Sequence, residues 1–231
     1  MPGRLAIFDD SSFKNEARKI FPKVKNRLGV ITPNYNTAPT HVVPALLNTK
    51  EYVYAHFGLI PSWAKDKKSI NINARSETLF EKKSFRDSFK SKRCLIPING
   101  FYEWEKRDKE KIPYFIKSNT DDCFAIAGLW DEWFDTLTGK SIVSIALITT
   151  QPNDKIESIH DRMPVILDKK NWKPWLDNNS SLDEVNKLFS SFPSEMMQMY
   201  EVSSLVNKVS NYSEECVLKK EPTLLTSQTL F

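Results

Sequence analysis

The sequence predicts an α+β fold, a mostly antiparallel, barrel-like β-sheet with peripheral helices, and three observations carry that prediction. Between residues 93 and 149 five strand-like runs follow one another with no helical stretch between them, which favours antiparallel pairing over a wound parallel sheet. The 231 residues are 40% apolar and 27% charged, enough to fill a sizeable core and keep the surface wetted. No repeat, low-complexity block or Pro/Gly/Ser-rich linker interrupts residues 4 to 217. We therefore expect a single domain over 1–217, with the polar, Pro-containing stretch 218–231 as a C-terminal tail.

Taken in order, Ser11 or Ser12 can cap a helix in which Phe13, Ala17 and Ile20 share a face, ending near Pro22. Residues 41–48 and 51–60 flank Thr49-Lys50. Tyr52, Tyr54 and His56 alternate there with Val53, Ala55 and Phe57, the pattern of a strand pair. Residues 76–92 form the next helical candidate, opened by Ser76, with Phe85 and Phe89 four apart. Strands follow at 93–98, 101–106, 113–118, 124–134 and 141–149, the second and third joined by a charged turn. Two short helices at 172–176 and 182–189 and a strand near 199–204 complete the domain.

The small counts exclude whole classes of chemistry. The six glycines never come within five residues of each other, so neither a dinucleotide fingerprint nor a P-loop can be written. The three cysteines, 94, 123 and 216, and three histidines, 41, 56 and 160, give no CxxC pair and no HExxH helix, so no metal and no cofactor is expected. An odd number of scattered thiols argues against a disulfide framework, and Cys94, inside an apolar run, reads as buried and inert. No secretory signal pattern and no apolar run of about 20 residues is present, so we expect a cytoplasmic protein with no membrane partner.

Charge is unevenly placed. Residues 1–61, 62–119 and 120–231 sum to +4, +7 and −7, within a total of +4. A basic first half is the footprint of a polyanion partner, although Lys-rich stretches such as Lys106 to Lys111 are equally read as solvated turns.

Four segments place polar groups where a plain core strand would not. In an extended chain Asn73, Arg75 and Glu77 share one face, unless Arg75 and Glu77 are a surface pair beside a helix cap. Glu103, between Tyr102 and Trp104, can be desolvated and so tuned for proton transfer, or it is a rim carboxylate like Glu105. His160, flanked by Asp161 and Arg162, is either a satisfied structural histidine or the group that titrates near neutrality. The fourth is the amino-terminal Met1-Pro2-Gly3-Arg4, ordinarily discounted as a frayed end.

Read together, these segments resemble one family. Gly3-Arg4, Tyr35-Asn36-Thr37-Ala38-Pro39, Phe57-Gly58-Leu59-Ile60-Pro61-Ser62-Trp63, Asn73-Ala74-Arg75-Ser76-Glu77-Thr78, Gly100-Phe101-Tyr102-Glu103-Trp104 and His160-Asp161-Arg162-Met163-Pro164 occur in the order of the SRAP proteins. These are the SOS-response-associated peptidase, or abasic-site processing, proteins. Val202-Ser203-Ser204-Leu205-Val206-Asn207 also fits, so the resemblance reaches to about residue 215.

The resemblance implies an enzyme of the DNA damage response that links covalently to abasic sites in single-stranded DNA, acting as a monomer and associated with the nucleoid when bound. In that family Met is removed, a Cys amine at residue 2 condenses with the ring-opened sugar aldehyde, and its thiol closes a thiazolidine. Asn73 then corresponds to the residue that positions the terminus and sugar, Glu103 to the proton shuttle and His160 to the histidine beside the sugar. Arg4 and Arg75 correspond to cations on DNA phosphates, and Pro39 and Trp63 to residues at the edge of the unstacked DNA.

The chain departs from the pattern at residue 2, which is Pro. A thiazolidine cannot form there. An amino-terminal Pro is a secondary amine that can condense with an aldehyde to an iminium, an electron sink for β-elimination, which gives a lyase or a reversible link. The alternatives are a binding module for single-stranded or abasic DNA without covalent chemistry, and a self-cleaving peptidase, for which no Ser-His-Asp or Cys-His arrangement can be assigned.

Overall fold

The structure, a computed structural model, describes residues 2–68 and 70–221. In chain order the elements are β1 (Leu5–Ile7), α1 (Ser11–Ile20), β2 (Lys25–Asn26), β3 (Asn34–Thr37), β4 (Val42–Leu47), β5 (Glu51–Phe57) and β6 (Asn73–Arg75). Then come α2 (Lys83–Ser91), β7 (Arg93–Ile98), β8 (Gly100–Arg107), β9 (Glu110–Ser118), β10 (Phe124–Asp135), β11 (Lys140–Thr150) and α3 (Asp154–Glu157). β12 (Met163–Pro164), β13 (Ile166–Leu167), α4 (Trp172–Leu176), α5 (Leu182–Asn186) and β14 (Met197–Glu201) finish the chain.

Strands β11, β10, β7, β4 and β5 pair in that order, and β5 returns to β11 through Ser144↔His56 and Ile145↔Phe57, closing a five-stranded barrel. Four of its joints are antiparallel and the closing one is parallel. Alternation along the strands divides the core in two. Val43, Ala45, Phe57, Ile96, Ile126, Ile145 and Leu147 form one cluster, inside the barrel. Leu46, Tyr52, Leu95, Ala127, Ala146 and Ile148 face outward and are covered by α1, α2, α4 and α5 through Phe13, Phe89, Trp172, Trp175 and Val185. Gly128 is required by this packing, since a Cβ there would stand 2.1 Å from Ile96 Cδ1.

A second sheet, β14-β9-β8-β1-β3, lays Leu5, Ile7, Phe101, Ile116 and Met197 against the barrel cluster. Its other face carries Ala6, Tyr102 and Phe115, which pack under Val202, Val206 and Cys216. The amino terminus is therefore no frayed end. Leu5 and Ala6 are fully buried and β1 is an inner strand between β8 and β3.

The α+β class and the mostly antiparallel barrel are as the sequence predicts, and four local expectations are corrected. The helix expected over 76–92 is divided, because Asn73–Arg75 is drawn in as a strand parallel to β11 and Ser76–Thr78 becomes a single 3-10 turn, so α2 opens only at Lys83. At α1 the N-cap position belongs to Asp10, and neither serine caps the helix. The helix expected to reach residue 189 stops at Asn186, and the strand expected near 199–204 is Met197–Glu201. Parallel pairs also join β2 to β5 and β6 to β11. Backbone pairing continues past residue 217, where Val202 bridges Lys219 and the Lys220 N–H donates to Glu201 O at 2.9 Å. The rest of the stretch read as a tail, 222–231, lies outside the described residues.

Candidate active site

β8 aims the central carboxylate. Phe101 and Glu103 share the face turned toward the barrel, and Tyr102 turns into the opposite cluster. Glu103 is 3% exposed. Burial pushes its carboxyl up to about 7, helped by the negative charge of Asp161 nearby. Glu105, one step further along the same face, pairs with Arg107 at 2.7 Å near the rim and is held below the usual range by that hydrogen bond. The desolvated and the rim carboxylate are thus two different residues of one strand.

The chain ahead of β1 continues along β8, because Leu5 pairs with Phe101 and the Tyr102 N–H donates to Arg4 O at 3.0 Å. Pro2 is buried there, and its carbonyl accepts a hydrogen bond from Asn73 Nδ2 at 3.1 Å. Asn73 arrives on β6, which is fixed to β11 by the Leu147, Ile148 and Thr149 register. Its Oδ1 is buried and has no hydrogen-bond partner among the described residues.

His160 follows α3, and its backbone N–H donates to Ile156 O at 2.8 Å. Its Nε2 stands 4.0 Å from Glu103 Oε2. On the other side of the ring Nδ1 accepts the Arg162 N–H at 3.0 Å, and Asp161 Oδ1 lies 2.9 Å away. Burial lowers the imidazole below its usual value, so the neutral ring is favoured.

An open cleft of about 420 Å³ joins these groups to solvent, lined by Arg4, Glu103, Trp104, Lys106, Lys111, His160 and Asn207. Arg4 Nη1 donates to Asn36 Oδ1 at 2.6 Å and to Val206 O at 2.8 Å, and its guanidinium lies 5.7 Å over the Trp104 ring. Trp104 Nε1 donates to Asn207 Oδ1 at 2.8 Å, so the 203–211 segment forms one lip of the cleft. The cleft thus combines three cations, an aromatic face, a carboxylate near neutrality and an imidazole.

Of the residues singled out in the sequence, Arg4, Glu103 and His160 meet in this cleft and Asn73 is tied to Pro2. Arg75 is exposed at the end of β6, and neither it nor Pro39 nor Trp63 lines the cleft. Trp63 is 53% exposed, with Lys83 Nζ 4.8 Å over its ring. The expected common face of Asn73, Arg75 and Glu77 is broken, because β6 stops at Arg75 and Glu77 turns to a bidentate pair with Arg162. The surface pairing of Arg75 with Glu77 is replaced by that same contact. Trp104, Lys106, Lys111, Asn207 and Arg162 were not singled out. Lys106 and Lys111 carried a signal, the basic run, but it reads as a solvated turn until β8 and β9 pair and place both at one cleft.

None of the three thiols lines the cleft. Cys94, Cys123 and Cys216 are all buried, and burial pushes each thiol up. Among the described residues no three His, Cys, Asp or Glu side chains could together hold a metal ion, and no helix is long and apolar enough to cross a membrane.

Residues 1–209 match the sequence model of one family, described as SOS response associated peptidase (SRAP). The chain belongs to the SRAP family. It is 44% identical over 227 residues to a Bacillus subtilis strain 168 protein named abasic site processing protein YoqW, covering 94% of this chain and 99% of that one. The Xenopus tropicalis protein named abasic site processing protein HMCES is 32% identical over 236 residues, covering 84% of this chain and 70% of its own. A crystal structure of a protein from Bacteroides thetaiotaomicron superposes with a TM-score of 0.83 at 27% identity, over 94% of this chain and all of that one. Within this SRAP chain, Asn73 holds residue 2 by its carbonyl, and Arg4, two residues on, lines the Glu103–His160 cleft.

Proposed function

We propose that this protein processes abasic sites in single-stranded DNA through the amine of Pro2, exposed when Met1 is removed. One observation carries the reading. The Asn73 bond to the Pro2 carbonyl, 3.1 Å, tethers residue 2 at the head of a segment that runs along β8, the strand carrying a buried carboxylate poised near neutrality. A general acid–base is most effective when its pKa lies near the working pH.

The reaction divides naturally among these groups. Glu103 in its acid form gives its proton to the sugar ring oxygen and takes that of the C1′ hydroxyl as the ring opens to the C1′ aldehyde, while the neutral His160 donates a hydrogen bond from Nε2 to the ring oxygen. The Pro2 nitrogen adds to that aldehyde and its proton passes to the former carbonyl oxygen, giving a carbinolamine. Glu103 in its acid form protonates the carbinolamine hydroxyl, water departs, and a cationic iminium remains. The resulting Glu103 carboxylate can then take a C2′ proton, so that the electron pair moves into the iminium and the 3′ phosphate leaves. Hydrolysis of the conjugated iminium returns the amine. With no thiol at residue 2, the link stays at the iminium stage.

Arg4, Lys106 and Lys111 supply positive charge for the phosphates along the cleft and Trp104 supplies a stacking face, with Arg75, Pro39 and Trp63 on the path of the flanking strand. Every residue named comes from one chain, so a monomer suffices, acting in the cytoplasm at the nucleoid. Among the described residues no Ser, Thr or Cys lines the cleft, which gives a self-cleaving peptidase no nucleophile there.

Borohydride trapping on abasic single-stranded DNA tests the proposal. The expected result is a reduced adduct that disappears when Pro2 is replaced by an N-acetylated residue. DNA binding with no adduct overturns it in favour of a non-covalent binding module.

A further inference from the structure

Arg162 takes no part in the chemistry just described, yet it is 5% exposed and both of its terminal nitrogens are committed. Nη1 and Nη2 donate to the two carboxylate oxygens of Glu77 at 2.7 and 2.8 Å, and Nη2 also donates to Thr149 O at 2.6 Å. A planar guanidinium forked on a carboxylate fixes orientation as well as distance, which a lysine cannot do.

The topology gives this contact its meaning. Asn73 reaches the site on β6, three residues long, and the His160 loop ends in β12, two residues long. Both pair with the same end of β11, β6 through Leu147 to Thr149 and β12 through Thr149 and Thr150. Strands this short do not hold position by themselves. The Glu77–Arg162 pair ties the turn after β6 to the loop before β12, directly over Thr149.

The backbone of the same arginine reaches the histidine, since its N–H donates to His160 Nδ1 at 3.0 Å. A backbone donor cannot rotate away, so Nδ1 is the acceptor and the ring proton sits on Nε2, the atom 4.0 Å from Glu103 Oε2. Asp161 Oδ1 approaches the same nitrogen, but a carboxylate has no proton to share with an acceptor, and its side chain is 80% exposed to water. Among the described residues, Glu103 and Lys106 from β8 and Asp161 from the loop itself are charged side chains near the ring.

We infer that the Glu77–Arg162 pair is a positioning device, clamping the His160 loop to β6 so that His160 is held as the Nε2–H tautomer facing Glu103. Its relevance to abasic-site chemistry rests on the function proposed above, but the test reads the ring itself. Nitrogen-15 NMR of the full chain, labelled at histidine, shows which ring nitrogen carries the proton. The wild type is expected to show Nδ1 unprotonated. Glu77→Ala, and Arg162→Lys as a second variant that keeps a cation beside Glu77, are expected to mix the tautomers. Single-turnover formation of the borohydride-trapped adduct should then slow by about tenfold or more, the scale of a loss of alignment. A proton on Nδ1 in the wild type overturns the inference, as does an unchanged single tautomer in a folded Glu77→Ala or Arg162→Lys variant. The NMR result stands even where no adduct is found, which separates failure of the clamp from failure of the proposed chemistry.

Discussion

Replacing Glu103 by glutamine separates the cost of the site from its use. In the folded chain this carboxyl rises from its ordinary 4.5 to about 7 because burial disfavours its charged form. Below about pH 4.5 the group is protonated in both folded and unfolded chains and contributes nothing. Between 4.5 and about 7 the folded state keeps a proton that the unfolded state has lost, so stability falls as the pH rises through that window, and above it the penalty is complete. A rise of this size corresponds to roughly 3 kcal/mol. Glutamine has nearly the same shape and no charge to bury. Glu103→Gln should therefore match the wild type near pH 4.5 and exceed it at pH 8 by up to roughly 3 kcal/mol, or about 6–12 °C for a chain of this length. The same variant should yield no trapped adduct. Thermal unfolding of both proteins across pH 4.5–8.5 is the assay. Parallel profiles, or a wild type more stable than the variant at pH 8, would show that the carboxylate is well solvated or well paired, and would refute the desolvation argument.

Three further outcomes are expected. Pro2→Cys restores a thiol beside the amine, so its adduct with abasic single-stranded DNA should survive denaturing electrophoresis without borohydride, whereas that of the wild type should not. Changing Lys106 and Lys111 together to alanine should flatten the dependence of log affinity on log salt for single-stranded DNA by about 1.4, measured by fluorescence anisotropy at several salt concentrations. Arg93→Met should cost roughly 3 kcal/mol in denaturant unfolding, because the fully buried guanidinium donates to Trp175 O, Phe89 O and Asp177 O at 2.6, 2.9 and 2.6 Å, and the variant leaves those helix-end carbonyls unpaired.

What could be read from the sequence follows the range of the interactions involved. The long strands β10 and β11 and strand β4 announce themselves as apolar runs buried on both faces, and β5 by alternation. Strands β1, β3 and β6 do not. Each is three or four residues long, and each exists because a distant partner supplies the other half of its hydrogen bonds. The same limit applied at the site. Glu103 and His160 stand out because a carboxylate between two aromatics and a histidine followed by an acid and a base are locally odd. Arg162 and Glu77 sit in the same motifs, yet their contact spans 85 residues and is visible only once β6 and β12 meet on β11. The pairing of Arg75 with Glu77 was the natural local reading, and the fold overrode it by ending β6 between them.

The distribution of unmet hydrogen bonds says where this fold accepts cost. Elsewhere buried amides are fully used. Asn36 Nδ2 donates to Val206 O, Lys208 O and Asn211 O, and Asn99 both accepts from Phe8 and Asp9 and donates to Asp9 O and Asp122 O. Among the described residues, buried polar atoms without partners include Asn73 Oδ1, Thr149 Oγ1 and Arg162 Nε, and these three fall on β6, the end of β11 and the His160 loop. A chain that satisfies Asn36 and Asn99 completely does not leave such atoms together by accident, because each costs about 1–3 kcal/mol. The buried carboxyl of Glu103 adds its own penalty a few ångströms away. Cost gathered at one place among the described residues is what a site kept for chemistry would show, in line with the function proposed above. A ring-opened sugar, rich in hydroxyl donors and acceptors, offers Asn73 Oδ1 the donor that it lacks.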